Sequence, residues 1–300
     1  AQQSKIDVMN LSNLLIAGCV PALKNRLDGP IVVTLQGDDL FIDQLPDPYR
    51  QQVLAELRGL VAHVDRFIAH SRFYAQSMAD YFDIPRDRIE VVPLGISLDD
   101  VPELAGDTSR PSTIGYLARI CEAKGLHVLV DAFLRLKSQP ATRDVRLHVA
   151  GWLGIEDQSY FDGLKARIDQ AGFSDDFAYA GVLDRSAKWE FLQSLDILSV
   201  PTTYAEPKGR YVLEALACGI PVVQPDHGAF PELLQRTGGG RLVTPNHPEH
   251  LAATLAELLS DPERRRQLGQ EGRAAVFDQC SAEQAARRTL EVYARCLDVA

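Results

Sequence analysis

The sequence lacks the features that mark several large classes of protein. It has no run of about 18 apolar residues, so it predicts no membrane-spanning helix. It has no stripe of lysine and arginine, and its net charge is -10, so a nucleic-acid partner is not expected. Its five cysteines form no C-x-x-C pair and mostly occupy apolar helical contexts, which is typical of reduced thiols. We therefore expect a cytoplasmic protein.

Several catalytic motifs are also absent. Without G-x-S-x-G, a P-loop or G-x-G-x-x-G, the sequence does not support a hydrolase elbow, an NTPase or an ordinary dinucleotide enzyme. None of the seven histidines forms H-E-x-x-H. The pairs Asp38-Asp39 and Asp99-Asp100 could hold a divalent ion, but adjacent acids in polar loops are commonly turn and cap residues. We predict no protein-bound metal.

What is present favours an α/β protein. The 300 residues are 46% hydrophobic, enough for a substantial core, and the length predicts two domains. Short apolar runs alternate with amphipathic helical patterns, as in βαβ units around a parallel sheet. The predicted strands are 6–9, 31–35, 66–69, 89–92, 113–117, 147–150, 177–180, 197–200, 222–224 and 241–243. The longer predicted helices are 11–27, 48–61, 71–82, 126–136, 161–171, 249–259, 262–277 and 281–292.

The stretch from Tyr204 to Val223 is the first candidate ligand site, because it carries Glu206 and Glu214 around a predicted helix start. Pro207 suits the first turn of that helix, where its missing N–H would have no partner. At about 1.5 Å per residue, the two carboxylates would lie on the order of 12 Å apart. That spacing suits two ends of an extended ligand better than one glycosidic bond.

The helix start itself is a candidate anion site. The backbone N–H groups of Lys208, Gly209 and Arg210 would open the helix, where unpaired donors and the helix dipole favour a phosphate. The alternative is an ordinary amphipathic helix with an exposed pair between Arg210 and Glu214.

Two cations form a second candidate site. Arg119 and Lys124 follow the predicted strand 113–117 and precede a helix that begins near Leu126. An arginine can bind two phosphate oxygens and a lysine supplies a point charge, so the pair suits a diphosphate beyond the end of a parallel strand. Two solvated loop charges are the alternative.

Both stretches resemble motifs of the retaining family 4 glycosyltransferases. Glu206-Pro207, Gly209, Glu214 and Ala217-Cys218-Gly219 are similar to the E-x7-E signature of that family. The segment 118–125 is similar to its G-R-L-x-x-x-K-G element, with an alanine in place of the first glycine. The resemblance to the family's sequence pattern extends over nearly the whole chain, from about Asp7 to Tyr293.

The resemblance implies a role for each of these residues. Glu206 and the backbone amides that follow it would hold the donor sugar and phosphate, and Glu214 would hold the ribose hydroxyls. Arg119 and Lys124 would bind the pyrophosphate and, with Glu206, form the catalytic set. Lys208 stands where the family usually has an aromatic residue, so the sugar preference stays open.

Three further positions complete the expected substrate site. Gly151 follows a predicted strand, where the lack of a side chain would let the backbone approach a ligand closely. In the family the turn after the next strand contacts the nucleobase, which makes Gly181 and Val182 candidates, with an ordinary βα turn as the alternative. Gln36 follows the strand 31–35, where many relatives have a histidine. A glutamine can bond the sugar but cannot carry a proton near neutral pH.

The resemblance implies a GT-B architecture, in which two Rossmann-like domains with parallel sheets face each other across a cleft. The expected division is 1–97 for an N-terminal acceptor-side domain, 98–110 for a linker, 111–280 for a C-terminal nucleotide-sugar domain and 281–300 for a helix crossing back to the first domain. About a hundred residues precede the crossover, so we expect the first domain to be incomplete at its start.

The implied function is transfer of a hexosyl group from a nucleotide-diphosphate sugar, with UDP or GDP expected, to an unidentified sugar, lipid or small-molecule acceptor. Retention of configuration and the absence of a metal or other cofactor are part of this expectation. Two alternatives stay open: a nucleotide-sugar-binding protein with little transfer activity, because of Gln36, or a sugar-nucleotide epimerase. Nothing in the sequence supports peripheral membrane contact.

Overall fold

The computed structural model describes residues 6–104 and 110–298 and divides the chain into two compact units. The first unit comprises Ala1–Gly95 and Ala282–Ala300, and the second comprises Ile96–Ser281. Each unit contains one sheet, and every strand pairing in both sheets is parallel. The predicted α/β class is confirmed.

The strands of the described residues are β1 (Met9–Leu11), β2 (Ile31–Thr34), β3 (Arg66–Ala69), β4 (Ile89–Val91), β5 (Thr113–Leu117), β6 (Arg146–Ala150), β7 (Phe177–Tyr179), β8 (Ile197–Leu198), β9 (Val222–Pro225) and β10 (Gly240–Val243). The α-helices are α1 (Val20–Lys24), α2 (Asp38–Ile42), α3 (Tyr49–Leu60), α4 (Arg72–Phe82), α5 (Leu126–Lys137), α6 (Gln158–Gln170), α7 (Arg185–Gln193), α8 (Arg210–Ala217), α9 (Phe230–Thr237), α10 (Pro248–Ser260), α11 (Pro262–Gln279) and α12 (Ala282–Asp298). Leu14–Cys19 is a 3₁₀ helix.

The first unit is a four-stranded sheet in the order β1-β2-β3-β4 with packed residues on both faces. Successive residues of a strand point to opposite faces, and β2 and β3 follow this rule. Val33 and Phe67 belong to the larger apolar core, with residues of the 3₁₀ helix, α3 and α4. Val32 and Ile68 pack on the other face against Val292 of α12. The continuous apolar runs of these strands reflect burial on both faces.

The second unit is a six-stranded sheet in the order β10-β9-β8-β5-β6-β7. Within this sheet, β5 is formed first, and β6 and β7 are added on one side of it. The chain then returns to the other side of β5, where it forms β8, β9 and β10. The strand order therefore reverses between β5 and β8. In open parallel sheets this switch point, at the carboxyl ends of the strands, is the usual place for a ligand.

The fold differs from the sequence-based expectations in three places before the second unit. Asp38 and Asp39, expected in a polar loop, are the first residues of the short helix α2. The predicted first strand 6–9 is observed at Met9–Leu11, where it pairs with Ile31 to Val33. The predicted helix 11–27 is a 3₁₀ helix followed by only five residues of α1. None of the helices formed by the described residues is both long and apolar enough to cross a bilayer.

Candidate functional site

The loops that follow β5 and β8 touch each other at the switch point of the second sheet. The backbone N–H of Thr203 donates to the carbonyl of Ala123 at 2.9 Å. Gly125 has a φ of +74°, and a Cβ there would lie 1.8 Å from the carbonyl oxygen of Pro201. Only glycine permits this close approach, which fixes the two loops side by side. Lys124 and Glu206 are thereby brought together from segments 82 residues apart.

The carboxylate of Glu206 is the centre of the resulting cluster. Glu206 is only 6% exposed. Its Oε2 atom accepts hydrogen bonds from Lys124 Nζ at 2.5 Å, from the Tyr204 hydroxyl at 2.9 Å and from the Tyr211 hydroxyl at 3.4 Å. The backbone N–H of Gly209 also donates to this carboxylate. Lys124 donates in addition to the Tyr204 oxygen at 2.6 Å, so lysine, tyrosine and carboxylate form a closed triangle.

The surroundings of Glu206 keep it ionised. Burial raises its pKa, but the Lys124 charge and the hydrogen bonds from Lys124, Tyr204 and Gly209 together outweigh burial and hold the pKa below its ordinary value. Burial and the neighbouring Glu206 charge raise the pKa of Tyr204, so the phenol remains a donor at neutral pH. Glu206 is therefore suited to accept hydrogen bonds from a ligand's hydroxyl groups, and not to act as an acid.

The backbone of Glu206 is held as firmly as its side chain. A Cβ on Gly228, which has a φ of +61°, would lie 2.5 Å from the Glu206 nitrogen. The N–H of Ala229 donates to the Glu206 carbonyl at 2.8 Å. The glycine before α9 is thus required by a close backbone contact with the site.

Arg119 lies beside the same cluster. Its side chain is exposed. Partial burial lowers the pKa of its guanidinium, but Cys121 and Asp157 outweigh burial and hold the pKa above its ordinary value. The hydroxyl of the buried Tyr116 donates to the Arg119 carbonyl at 3.0 Å, which fixes the loop from below. Arg119 and Lys124, the two cations that follow β5, therefore lie in one loop, and Lys124 contacts Tyr204.

Glu214 forms a second ion cluster on α8. It is 6% exposed, and its Oε1 atom accepts from Lys188 Nζ at 2.7 Å and from Arg210 Nε at 3.1 Å. The pair expected on an ordinary amphipathic helix is thus present, but its acid is buried. Lys188 comes from α7 and lies 5.1 Å from the centre of the Trp189 ring.

The start of α8 differs from the prediction. The helix begins at Arg210, so Pro207 lies outside its first turn, and Gly209 precedes it with a φ of +66°. The predicted distance between the two glutamates assumed a helix from Glu206 onward. Because the helix begins only at Arg210, that distance cannot be derived in this way. The N–H of Gly209, expected to await an anion, is already bound to Glu206. Lys208, the residue before Gly209, is half-buried.

The glycine turns after β6 and β7 lie next to each other. The N–H of Gly151 donates to the carbonyl of Gly181 at 2.8 Å. Gly151 has a φ of +142°, and a Cβ on it would lie 1.8 Å from the carbonyl oxygen of Ala118. The need for glycine at 151 therefore comes from the chain's own backbone. Space beside Gly181 is open, and Val182 is 69% exposed.

Gln36 belongs to the first unit, at the carboxyl end of β2. Its backbone N–H donates to the buried carboxylate of Asp38 at 3.0 Å, and Asp38 also accepts from the N–H of Leu14 at 3.0 Å. Asp39 accepts from the Tyr74 hydroxyl at 2.7 Å. Both acids thus bind groups of their own chain. Across residues 6–104 and 110–298, no three His, Cys, Asp or Glu side chains are grouped to hold a metal ion.

Three residues of the two clusters were missed from the sequence. Tyr204 and Tyr211 flank Glu206 within the stretch already singled out, so their position was a usable signal. Lys188 had no such signal, because its link to Glu214 depends on the packing of α7 against α8.

A separate cavity of about 500 Å³ lies near the amino ends of β8 and β9, whereas the Glu206 cluster lies beyond the carboxyl ends of the strands. Its lining includes Arg110, which pairs with Asp196 at 2.8 Å, and the buried thiol of Cys218. This cavity shares no lining residue with the Glu206 cluster.

Comparison with known families gives two matches along the chain. Residues 105–275 match the family described as glycosyl transferases group 1, and residues 1–100 match the family described as glycosyltransferase family 4. The D-inositol 3-phosphate glycosyltransferase of Segniliparus rotundus is 28% identical over 266 residues, 83% of this chain and 58% of its own length. The MMP alpha-(1->4)-mannosyltransferase of Mycolicibacterium hassiacum is 30% identical over 244 residues, 81% of this chain and 57% of its own length. The chain thus spans less than two thirds of these relatives.

Solved structures share the fold. HepE from Anabaena, in complex with UDP, superposes with a TM-score of 0.83 at 19% identity, over 96% of this chain and 79% of HepE. Sucrose-phosphate synthase from Thermosynechococcus elongatus gives a TM-score of 0.82 at 19% identity, over 98% of this chain and 74% of the synthase. The expected GT-B fold class is confirmed by these similarities.

Proposed function

The chain belongs to the group 1 glycosyl transferases, and on that premise we propose that it transfers a hexosyl group from a nucleotide-diphosphate sugar to an acceptor. The observation that carries this proposal is the contact of Lys124 with Tyr204 and Glu206 at the switch point, in the same loop that carries the exposed Arg119. Two cations in one loop and a buried carboxylate at the same switch point suit a charged diphosphate joined to a polyhydroxylated sugar.

In the proposed reaction the bond between the anomeric carbon and the diphosphate oxygen breaks, and its electron pair leaves with the diphosphate. Arg119 and Lys124 stabilise the charge that builds there, and the shielding of the Lys124 side chain from water strengthens its effect. Glu206 orients the sugar by accepting hydrogen bonds from its hydroxyls. Lys124 is the link between these two tasks, because its ammonium group donates to the Glu206 carboxylate.

The acceptor oxygen then forms the new bond on the face that the diphosphate leaves, so the configuration is retained. The acceptor's proton passes to a leaving phosphate oxygen, and no protein base is needed. We assign the stabilising charge to side chains, so the proposed transfer uses neither a metal nor another cofactor. These features of the proposal are consistent with Gln36, which cannot take up a proton near neutral pH.

Glu214 is the proposed partner of the ribose hydroxyls, and the turn at Gly181 and Val182 is the proposed contact of the base. Lys188 and Arg210 hold the Glu214 carboxylate and would remain beside the nucleotide. UDP is a favoured candidate, because the solved HepE complex contains UDP. A hexosyl group is supported by the mannosyltransferase among the relatives. The five free cysteines are consistent with a reaction in the cytoplasm.

A thermal-shift series tests the binding part of this proposal. Wild type and Glu214→Ala are heated with UDP, GDP and ADP, and a nucleotide that binds raises the melting temperature of wild type by mass action. We expect a smaller rise in Glu214→Ala. Glu249→Ala is the matched control, since Glu249 is an exposed acid on α10 of the same unit. A chain that responds to none of the three nucleotides contradicts the proposal.

A transfer assay tests the reaction itself. The full-length protein is incubated with labelled donor and a panel of sugar, lipid and small-molecule acceptors, and product is followed over time. Binding without transfer or donor hydrolysis would favour the nucleotide-sugar-binding alternative that Gln36 raises. Conversion of the donor sugar without any acceptor would instead indicate an epimerase. Lys124→Met should lower the rate of transfer even at saturating donor, because it removes a charge that stabilises the leaving diphosphate.

A further inference from the structure

Three large apolar side chains are exposed together at the carboxyl edge of the second sheet. Trp152 is 50% exposed, Ile155 is 95% exposed and Val182 is 69% exposed. Trp152 and Val182 each follow one of the two glycines that are joined by the hydrogen bond from Gly151 to Gly181. The loops after β6 and β7 therefore carry the two side chains at neighbouring backbone positions. We call Trp152, Ile155 and Val182 the edge patch.

The edge patch adjoins the cations that follow β5. The N–H of Ile120 donates to the carbonyl of Trp152 at 2.8 Å, and Ile120 also pairs with Leu153 in a parallel bridge. Arg119, the residue before Ile120, interacts electrostatically with Asp157, two residues after Ile155. The patch is thus continuous with the loop that carries the proposed diphosphate ligands.

We propose that Trp152 stacks against the base of the donor nucleotide. This inference rests on the proposed function, because it takes Arg119 and Lys124 as the diphosphate ligands. A nucleoside diphosphate needs a polar, cationic surface for its phosphates and, one ribose away, a flat apolar surface for its base. Arg119 and Trp152 supply these two surfaces on adjacent loops.

The size of the edge patch favours a base over a protein partner. A stable protein interface buries about 800 Å² on each partner, which takes some 20 to 30 residues. The edge patch is three side chains next to charged groups, including Arg119 and Asp157. An indole ring is large enough to cover one base, and every base has a π-face, so stacking adds affinity for any nucleotide. Choice among bases would then fall to the backbone groups at Gly181 and Val182.

The two tryptophans of the chain make this proposal measurable by fluorescence. Trp189 is 5% exposed, with the Lys188 ammonium 5.1 Å and the Arg185 guanidinium 5.7 Å from its ring centre. Trp152 is half-exposed. A base that stacks on Trp152 should quench its emission and shield it from acrylamide. Any change in Trp189 emission is measured separately in Trp152→Phe, which keeps Trp189 as its one tryptophan.

The experiment titrates wild type with UDP, uridine and inorganic pyrophosphate while tryptophan emission is recorded. UDP and uridine should quench, and pyrophosphate should bind without quenching. Trp152→Phe keeps a stacking ring and should bind UDP within about threefold of wild type, without the quench. Trp152→Ala should bind UDP about 5- to 150-fold more weakly, the range for loss of one aromatic stack. Leu290→Ala, on the exposed side of α12, is the control for loss of an exposed apolar side chain.

The possible outcomes separate this inference from the proposed function. UDP affinity unchanged in Trp152→Ala, measured by calorimetry, overturns the stacking role while nucleotide binding stands. The difference in emission between wild type and Trp152→Phe reports Trp152. If UDP does not change this difference, the stacking role is likewise overturned. If wild type binds neither UDP nor GDP in the thermal-shift series, both proposals fall together. Since Trp152 is half-exposed, its variants are not expected to unfold, and circular dichroism spectra that match wild type verify this.

Discussion

Replacing Lys124 by methionine should destabilise the second unit, because it leaves the buried Glu206 carboxylate without its cation. Methionine keeps most of the length and apolar volume of lysine and removes only the ammonium group. The exposed side-chain fractions are 17% for Lys124 and 7% for Glu206, so the pair is largely shielded from water. Its loss should therefore act through charge and hydrogen bonding and not through a cavity.

The expected size follows from the groups that remain. Removing one partner of a buried ion pair costs about 3–5 kcal/mol, because the other charge stays buried and uncompensated. In Lys124→Met, Glu206 keeps its hydrogen bonds from Tyr204, Tyr211 and the Gly209 N–H, which places the loss near the lower bound. We expect the free energy of unfolding to fall by about 3 kcal/mol at pH 7.

The loss should depend on pH in a defined direction. In wild type the folded pKa of Glu206 is below its ordinary value, so Glu206 stabilises the fold above the unfolded pKa and loses this effect as the pH falls through the folded pKa. In the variant, burial is no longer opposed by Lys124, and the folded pKa should rise above the ordinary value. At neutral pH the buried, ionised Glu206 then destabilises the variant, and this destabilisation disappears in acid as Glu206 takes up a proton. The stability difference should be largest near pH 7 and narrow towards about pH 4.

Urea unfolding followed by tryptophan emission measures this difference. Both tryptophans, Trp152 and Trp189, lie within Ile96–Ser281, so their emission reports the second unit of the intact chain. The double variant Lys124→Met/Glu206→Gln is the control, because it removes the charge that Lys124→Met leaves uncompensated. We expect it to be more stable than Lys124→Met alone. Equal stability of wild type and Lys124→Met at pH 7, or a difference that does not vary with pH, would refute the reasoning.

Three further predictions concern the same unit. Gly125→Ala should unfold at clearly lower urea concentration than wild type, because its Cβ would lie 1.8 Å from a backbone carbonyl oxygen. Gly163→Ala, in the middle of α6, should instead raise the free energy of unfolding by up to about 1 kcal/mol. Tyr204→Phe should raise the pKa of Glu206 by removing a hydrogen bond and cost about 1 kcal/mol at pH 7, seen in the pH profile of unfolding. Asp184→Ala should cost about 1 kcal/mol through loss of the α7 cap, in the same urea assay.

Local sequence patterns predicted most of the sheets. The strands at Arg66–Ala69 and Thr113–Leu117 were predicted to the residue, because each is a short apolar run bounded by polar or turn residues. Aspartate is a favoured capping residue, and the Asp184 side chain accepts the N–H of Ala187 at 2.8 Å at the start of α7. In these places the local signal and the tertiary environment favour the same structure.

The errors arose where distant contacts decide the structure. The start of α8 was placed too early because Pro207 is a favourable first-turn residue, but Gly209 turns the chain so that its N–H reaches Glu206. The first strand was placed too early because its position is set by pairing with Ile31–Thr34. The ion pair between Glu214 and its lysine on α7 could not be read from spacing, since it joins two helices.

The two buried acids of the second unit draw their positive partners from different parts of the chain. Glu206 is neutralised from the turn after β5, whereas Glu214 is neutralised from α7 and its own helix. A mutation that repositions one lysine therefore need not disturb the other pair. Under the proposed roles of the two acids, such independence offers a route for divergence, in which a descendant of this scaffold changes its sugar while keeping its nucleotide, or the reverse. Directed evolution could exploit it by randomising the surroundings of each acid in separate libraries.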